Sequence, residues 1–451
     1  INSFTMLLNY LKLAIKVLGR NKMYTAITLF GISFTLMVLM IILALYDSEL
    51  GANTPMSKAD RMIFVDHMEM WKPFYDTTWA IDSNMINDEM VYDTTDFTTE
   101  ESGKSISSGS MSLRLVDEHL ADVDPMERRS LLFSRAYTVF NEGQKFQLTG
   151  ILTDEEYWNI FDFNFLAGEP FRLEQVEEAA SVAVISSSTA EDYFGGIREA
   201  IGQSIPISGR EHEILGVVEK GRTSSHYINA DIYVPYTTTE PVLLSETGNG
   251  GPFTAVYLAP SVAQRTAMQE AIDFKGRQIP IPPPANPGAF VHDNIRVFPF
   301  TQEEMYAWSL FQEDEIDTNK KYFRLMLVLS LGLFILIPTL NLINVNLTRM
   351  MERASEISVR KTYGASRQQI LGQFLFENII VTFIGGLIGL ALSLFIIKLI
   401  NSSGAMPNTI LAFNGRVFFY SFLMCLLLGL LSGLLPAWRI SKQQIADGLR
   451  Q

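Results

Sequence analysis

The chain has 451 residues, 48 % of them apolar, and a net charge of −14. Apolar and acidic at once, it reads as part lipid-embedded and part soluble, with length for two or three domains. The single cysteine, Cys425, excludes an intramolecular disulfide and disfavours a thiolate metal centre.

The charge is unevenly placed. From Ser48 to Lys320 there are 19 Lys and Arg against 44 Asp and Glu, a net −25; the remainder has 16 against 5, a net +11. A surface that acidic keeps a domain soluble and disfavours nucleic acid as a partner. An acidic domain is therefore joined to a basic membrane part.

In chain order, residues 1–22 come first. Leu7, Leu8, Leu11, Ile15 and Leu18 recur at helical spacing, with Lys12, Lys16 and Arg20 on another face. This predicts an interfacial helix on the inner leaflet, or else an extension of the first span. Met23 to Tyr46 is apolar and uncharged, long enough to cross about 30 Å of hydrocarbon. It reads as a retained span (23–47), too long and too poorly flanked for a cleaved leader.

Residues 48–320 predict a large α+β domain. Strands are expected at Arg61–Met70, Arg135–Ile151, Ser181–Ile185, Glu213–Val218, Asp231–Val234 and Thr254–Leu258. Short helices are expected at Glu155–Phe161 and Ser188–Phe194, a longer one at Ser261–Phe274, and a Pro-rich loop at Lys275–Gly288. Residues 68–127 read as an acidic insert, with Asp82–Glu101 a solvated flexible loop. Gln302–Met326, without Gly or Pro, predicts one long helix running into the second span.

Further spans are expected at Leu325–Leu347, Asn378–Ile397 and Val417–Leu435, with an outer loop at 399–416 and a tail at 437–451. Lys and Arg cluster before the first span, between the second and third, and after the fourth, so those segments and both termini are expected inside. The fold class is thus a four-span α-helical membrane domain with a large α+β extracytoplasmic domain between spans 1 and 2. Gly385, Gly386 and Gly389 allow close helix contact, in a dimer or within the chain. Pro338 and Asn341 favour packing over substrate contact, and no charged residue falls within the spans.

Catalytic motifs fail on inspection. Gly103-Lys104-Ser105 imitates a phosphate loop but lacks the glycine five residues upstream, where Thr98 stands. Ser224, Ser225 and His226 lie in no nucleophile elbow. The histidines are scattered without metal-ligand spacing, so no catalytic residue, cofactor or metal is expected in the chain.

One segment is specific. Between spans 2 and 3, residues 348–376 hold a short basic helix ending at a glycine. Arg353, Glu356, Ile357, Val359, Arg360, Lys361, Gly364, Ala365 and Ser366 resemble the signature of the FtsX-like permeases, which precedes a span with a Gly-Gly pair. The tail Leu435–Arg450 is similar to that family's closing segment. Stretches Leu148–Phe171, Val182–Ile205 and Ile214–Pro235 resemble a MacB-type periplasmic core.

The resemblance implies a dimeric ABC permease, with a second copy or a paralogue, in a bacterial cytoplasmic membrane. It implies that ATP and Mg²⁺ are bound by a separate cytoplasmic ATPase subunit. It makes the basic helix a coupling handle: Ile357, Val359 and Tyr363 fill a groove on the ATPase, while Arg353, Glu356, Arg360, Lys361 and Arg367 set register by charge. Residue chemistry alone weighs this equally against a helix lying on anionic lipid. Export of a drug, peptide or toxin with a periplasmic adaptor and an outer-membrane channel leads. Lipoprotein extraction, regulation of a cell-wall enzyme and a membrane sensor stay open.

Overall fold

The computed structural model describes residues 22–86, 89–141, 143–221, 225–281, 291–312, 316–352, 359, 362–364, 366–403, 411, 413, 415–416, 418–424, 426–427 and 430. The expected interfacial helix and the basic tail lie outside them, as does part of the expected fourth span. Two compact units are formed, Leu50–Ser309 and Ile1–Glu49 with Leu310–Gln451.

The first unit is built on a mixed sheet of β1 (Met62–Ile86), β2 (Glu89–Gly109), β3 (Arg128–Asn141), β4 (Gln144–Thr153), β5 (Phe165–Gly168), β6 (Val182–Ser186), β7 (Ser204–Ile207), β8 (Arg210–Val218), β9 (Ile232–Pro235), β10 (Thr254–Leu258) and β11 (Asn294–Phe300). The strand order is β11-β1-β10-β3-β4-β9-β6-β8-β5, with β2 on β1 and β7 on β8. β4–β9 and β6–β8 are parallel; the other pairs are antiparallel.

Side-chain alternation sends each strand's apolar residues to two covered faces. Ile63, Leu131, Leu152, Ile185, Val234, Tyr257 and Val297 share one core. Phe64, Leu132, Ile151, Val184, Tyr233 and Val256 share the other. Helix α1 (Lys22–Leu50) belongs to the other unit. Helices α2 (Leu113–His119), α5 (Ser187–Phe194), α6 (Ile197–Ala200), α7 (Pro241–Leu244) and α8 (Val262–Gly276) cover the first face through Leu115, Ala190, Ala200, Leu244, Met268 and Ile272. Helix α3 (Glu156–Ile160) covers the second through Tyr157 and Ile160, near Val176 of α4 (Leu173–Glu177). A Cβ on Gly276 would stand 2.1 Å from Val297 Cγ2, so glycine sets how closely α8 lies on β11.

Three expectations are corrected. Arg135–Ile151 is a hairpin, not one strand: β3 and β4 pair from Leu132↔Thr153 to Asn141↔Gln144, and Gly143 takes φ +83° at the turn. The acidic insert is not a flexible loop. β1 and β2 pair in continuous antiparallel register from Met68↔Gly109 to Ile86↔Glu89, with two irregularities. The long helix is interrupted: α9 (Gln302–Phe311) and α10 (Ile316–Glu352) are separate, and Gln312 is left-handed at φ +52°. A left-handed residue cannot carry a right-handed helix onward.

Asp154 follows β4 and is partly buried. Its carboxylate accepts hydrogen bonds from Ser130 Oγ (2.6 Å), Leu131 N (2.8 Å) and Tyr157 N (3.1 Å). Burial outweighs these bonds and pushes its pKa up to about 7. The folded state therefore holds a proton that the unfolded chain releases near pH 4, so this contribution to stability is lost as pH rises from about 4 to 7. The Asp154→Asn variant should gain thermal stability relative to the parent as pH is raised from 5 to 8. Unfolding midpoints of the full chain in detergent, read by intrinsic fluorescence, check this slope whatever the offset between the two proteins.

Candidate functional site: the helix junction and the glycine contact

Gly364 and Ser366 form a stop followed by a start. Val359 is helical, and Tyr363 N donates to Val359 O at 3.1 Å, one helical turn apart. Gly364 then takes φ +88°, the left-handed conformation that ends a helix at low cost only in glycine. Helix α11 (Arg367–Ser403) begins three residues later. Ser366 Oγ accepts from Gln369 N at 3.3 Å, and Gln369 Oε1 accepts from Ser366 N at 3.0 Å. This reciprocal cap satisfies two donors that a helix start otherwise leaves open. Gln369 was not singled out from the sequence, although Ser-x-x-Gln ahead of an apolar run carries the signal.

Val359 and Tyr363 are four residues apart and share one face of the turn. Val359 is 45 % exposed and Tyr363 is 89 % exposed. Arg367 stands at the first position of α11, where the helix dipole disfavours a cation. Arg353, Glu356, Ile357, Arg360, Lys361 and Ala365 lie outside the described residues.

The three glycines sit at contacts within the chain. Ser33 Oγ donates to Gly385 O at 2.9 Å. A Cβ on Gly385 would stand 2.7 Å from Ile32 Cγ2, and one on Gly389 would stand 2.8 Å from Ser33 O and 3.0 Å from Leu36 Cβ. A Cβ on Gly386 would stand 2.6 Å from the Phe422 ring, on another side of α11. The contact continues as Ser393 Oγ reaches Met40 Sδ at 3.3 Å and Ala44 packs with Ile397. Residues 32/33, 36, 40 and 44 thus meet 385, 389, 393 and 397 in the same order, so α1 and α11 run parallel. Among the described residues, two helical segments are long and apolar enough to cross a membrane, Thr25–Leu50 and Gln368–Ser403.

Gly103, Lys104 and Ser105 are paired in β2 against Phe74, Pro73 and Lys72. They form extended strand, not a loop that could cradle phosphate.

Replacing Gly389 by Leu should cost about 1–3 kcal/mol, because its backbone neighbour Ser33 O cannot rotate away. Gly372→Leu, where a Cβ meets nothing within 4 Å, should be nearly neutral. Thermal stability of the purified chain in detergent checks the difference.

Comparison with known proteins gives two domain matches. The MacB-like periplasmic core domain matches residues 25–274, and the FtsX-like permease C-terminal domain matches residues 328–445. Macrolide export ATP-binding/permease protein MacB 1 of Yersinia pestis bv. Antiqua (strain Antiqua) is 26 % identical over 296 residues, covering 65 % of this chain and 42 % of that protein. The uncharacterized ABC transporter permease YknZ of Bacillus subtilis (strain 168) is 25 % identical over 301 residues, covering 66 % of this chain and 68 % of that protein. A domain of a putative permease protein from Porphyromonas gingivalis matches in structure with a TM-score of 0.35 and 15 % identity, over 54 % of this chain and 93 % of that chain. The chain thus spans about two fifths of the length of the MacB relatives. With the periplasmic core model matching more than half of its residues and the permease domain following it, the protein belongs to the MacB/FtsX-like family of ABC transporter permeases.

Proposed function

We propose that this chain is the non-catalytic permease subunit of an ABC exporter that works by mechanotransmission. The observation that carries the reading is the turn before Gly364, which leaves Tyr363 89 % exposed with Val359 beside it on the face of a basic segment. An aromatic and a branched side chain, in a segment whose sequence is rich in Arg and Lys, suit a groove on a protein better than water. Arg367 fits the same reading: its position opposes the helix dipole and is explained by an anionic partner.

The parallel course of α1 and α11 supports the topology. Two spans of the same direction need one return crossing between them, and α10 supplies a 37-residue helix for it. Leu325, Val328, Leu329, Leu333 and Leu336 of α10 are exposed apolar residues, as expected of a surface facing hydrocarbon or a second permease copy. With α1 crossing outward, residues 50–309 lie outside the cytoplasmic membrane, and the junction at 353–366 lies inside with both termini.

In the working cycle, a separate cytoplasmic ATPase pair binds ATP and Mg²⁺ and closes. The junction helix moves with it. Ser366 and Gln369 keep α11 intact up to the junction, and the glycine contact passes the movement from α11 to α1. The outer domain then does work on cargo outside, with no polar path through the lipid core. Relatives named for macrolide export favour a drug, peptide or toxin as cargo, handed through a periplasmic adaptor and an outer-membrane channel.

Affinity purification of the full chain in mild detergent, with mass spectrometry of the co-purifying proteins, tests this. An ATPase subunit should copurify with the parent and with Tyr363→Phe. It should fall at least tenfold with Tyr363→Asp and with Gly364→Pro, while membrane insertion is unchanged. Equal ATPase recovery with Tyr363→Asp overturns the coupling role of the junction.

A further inference from the structure

β1 runs 25 residues, far past the sheet that it joins. β10 pairs with Met62–Val65 and β11 with Phe64–Trp71; from Lys72 onward its partner among the described strands is β2. Residues 72–86 and 89–105 therefore form a two-stranded ribbon extending roughly 45 Å beyond the sheet at the usual strand rise. Isolated two-stranded ribbons are marginally stable in water, so one of this length is an unusual thing to leave uncovered.

Its composition sharpens the point. Residues 72–105 hold eight Asp and Glu against Lys72 and Lys104. Asp76 stands directly opposite Glu100, and Asp82 directly opposite Asp93. Like charges at facing positions destabilise a ribbon. Asp76, Glu100 and Glu101 form no ion pair among the described residues. The opposite face carries different chemistry. Tyr75, which stands opposite Glu101, and the Thr77↔Thr99 and Trp79↔Phe97 positions alternate with the Asp76↔Glu100 pair, and Tyr75 and Phe97 are 59 % and 56 % exposed. Near its root the arm thus exposes Asp76 and Glu100 on one face and Tyr75, Phe97 and Glu101 on the other.

We infer that this ribbon is a docking arm for an extracytoplasmic protein with a basic surface, whose Lys and Arg relieve the facing carboxylates while its apolar residues cover Tyr75 and Phe97. The charge excludes the other occupants. A second copy of the arm would bring like charge to like charge, and anionic lipid would be repelled. The inference rests on the outer unit alone and does not depend on ATPase coupling at Tyr363.

The test places a photoreactive residue, p-benzoylphenylalanine, at Thr77 of the full chain in cells. Irradiation should give an adduct with one protein, identified by mass spectrometry and attached at a Lys- or Arg-rich surface. The adduct should fall at least fivefold in the Asp76→Asn, Glu100→Gln double variant and return in the Asp76→Glu, Glu100→Asp double variant. These positions are solvent-exposed, so expression of the chain should not change. No adduct, an adduct to lipid or to a second copy of this chain, or one with equal yield in the neutralised variant each overturns the proposal. Loss of the adduct on chelation of divalent cations also overturns it, by assigning the carboxylates to a bound ion.

Discussion

Two helix backbones approach as closely as glycine permits where Gly385 and Gly389 face Ile32, Ser33 and Leu36, and the membrane unit is organised around that contact. In hydrocarbon, apolar burial between helices gains nothing over lipid, so association depends on packing and on bonds made across the interface. The missing side chains supply the first, and Ser33 Oγ on Gly385 O supplies the second. The same contact makes α1 and α11 parallel. It also ties the helix that leads out to the acidic domain to the helix that starts at the Ser366 cap.

In the outer unit the equivalent role falls to β1. It is flanked by β10 and β11 at one end and continues with β2 beyond them. Its residues alternate between the two cores, with Ile63 and Val65 on one side and Met62 and Phe64 on the other. A shift of one residue would exchange the two sets between two cores packed for one arrangement, so two covered faces hold the register firmly. Asp154 adds a polar tie near the middle of the sheet, joining the β3 backbone to the start of α3.

Much of this was legible in the residues. Buried strands such as Val182–Ser186 and Thr254–Leu258 announce themselves as branched apolar runs, and Ser261 marks the start of α8. Gly364 marked where the turn through Tyr363 stops. What the residues hid has physical causes. The β3–β4 turn rests on Gly143 within one apolar-alternating stretch that reads as continuous. The ribbon is rich in Thr, Asp and Ser, which resemble a solvated loop when no core imposes alternation. Gln312 breaks a helix without Gly or Pro, the residues by which such breaks are usually recognised. The glycine run suggested close packing but not its partner, because the same spacing serves a dimer or an internal contact.

The ribbon has a mechanical consequence beyond recognition. It is a cantilever whose root lies between β10 and β11, and the peptide ladder along it resists stretching better than bending. A cantilever magnifies rotation at its base. With a length of roughly 45 Å, a tilt of about 5° in the sheet sweeps the far end through about 4 Å, more than the width of a hydrogen bond. Displacements too small to reshape the sheet are large enough at the tip to make or break a contact.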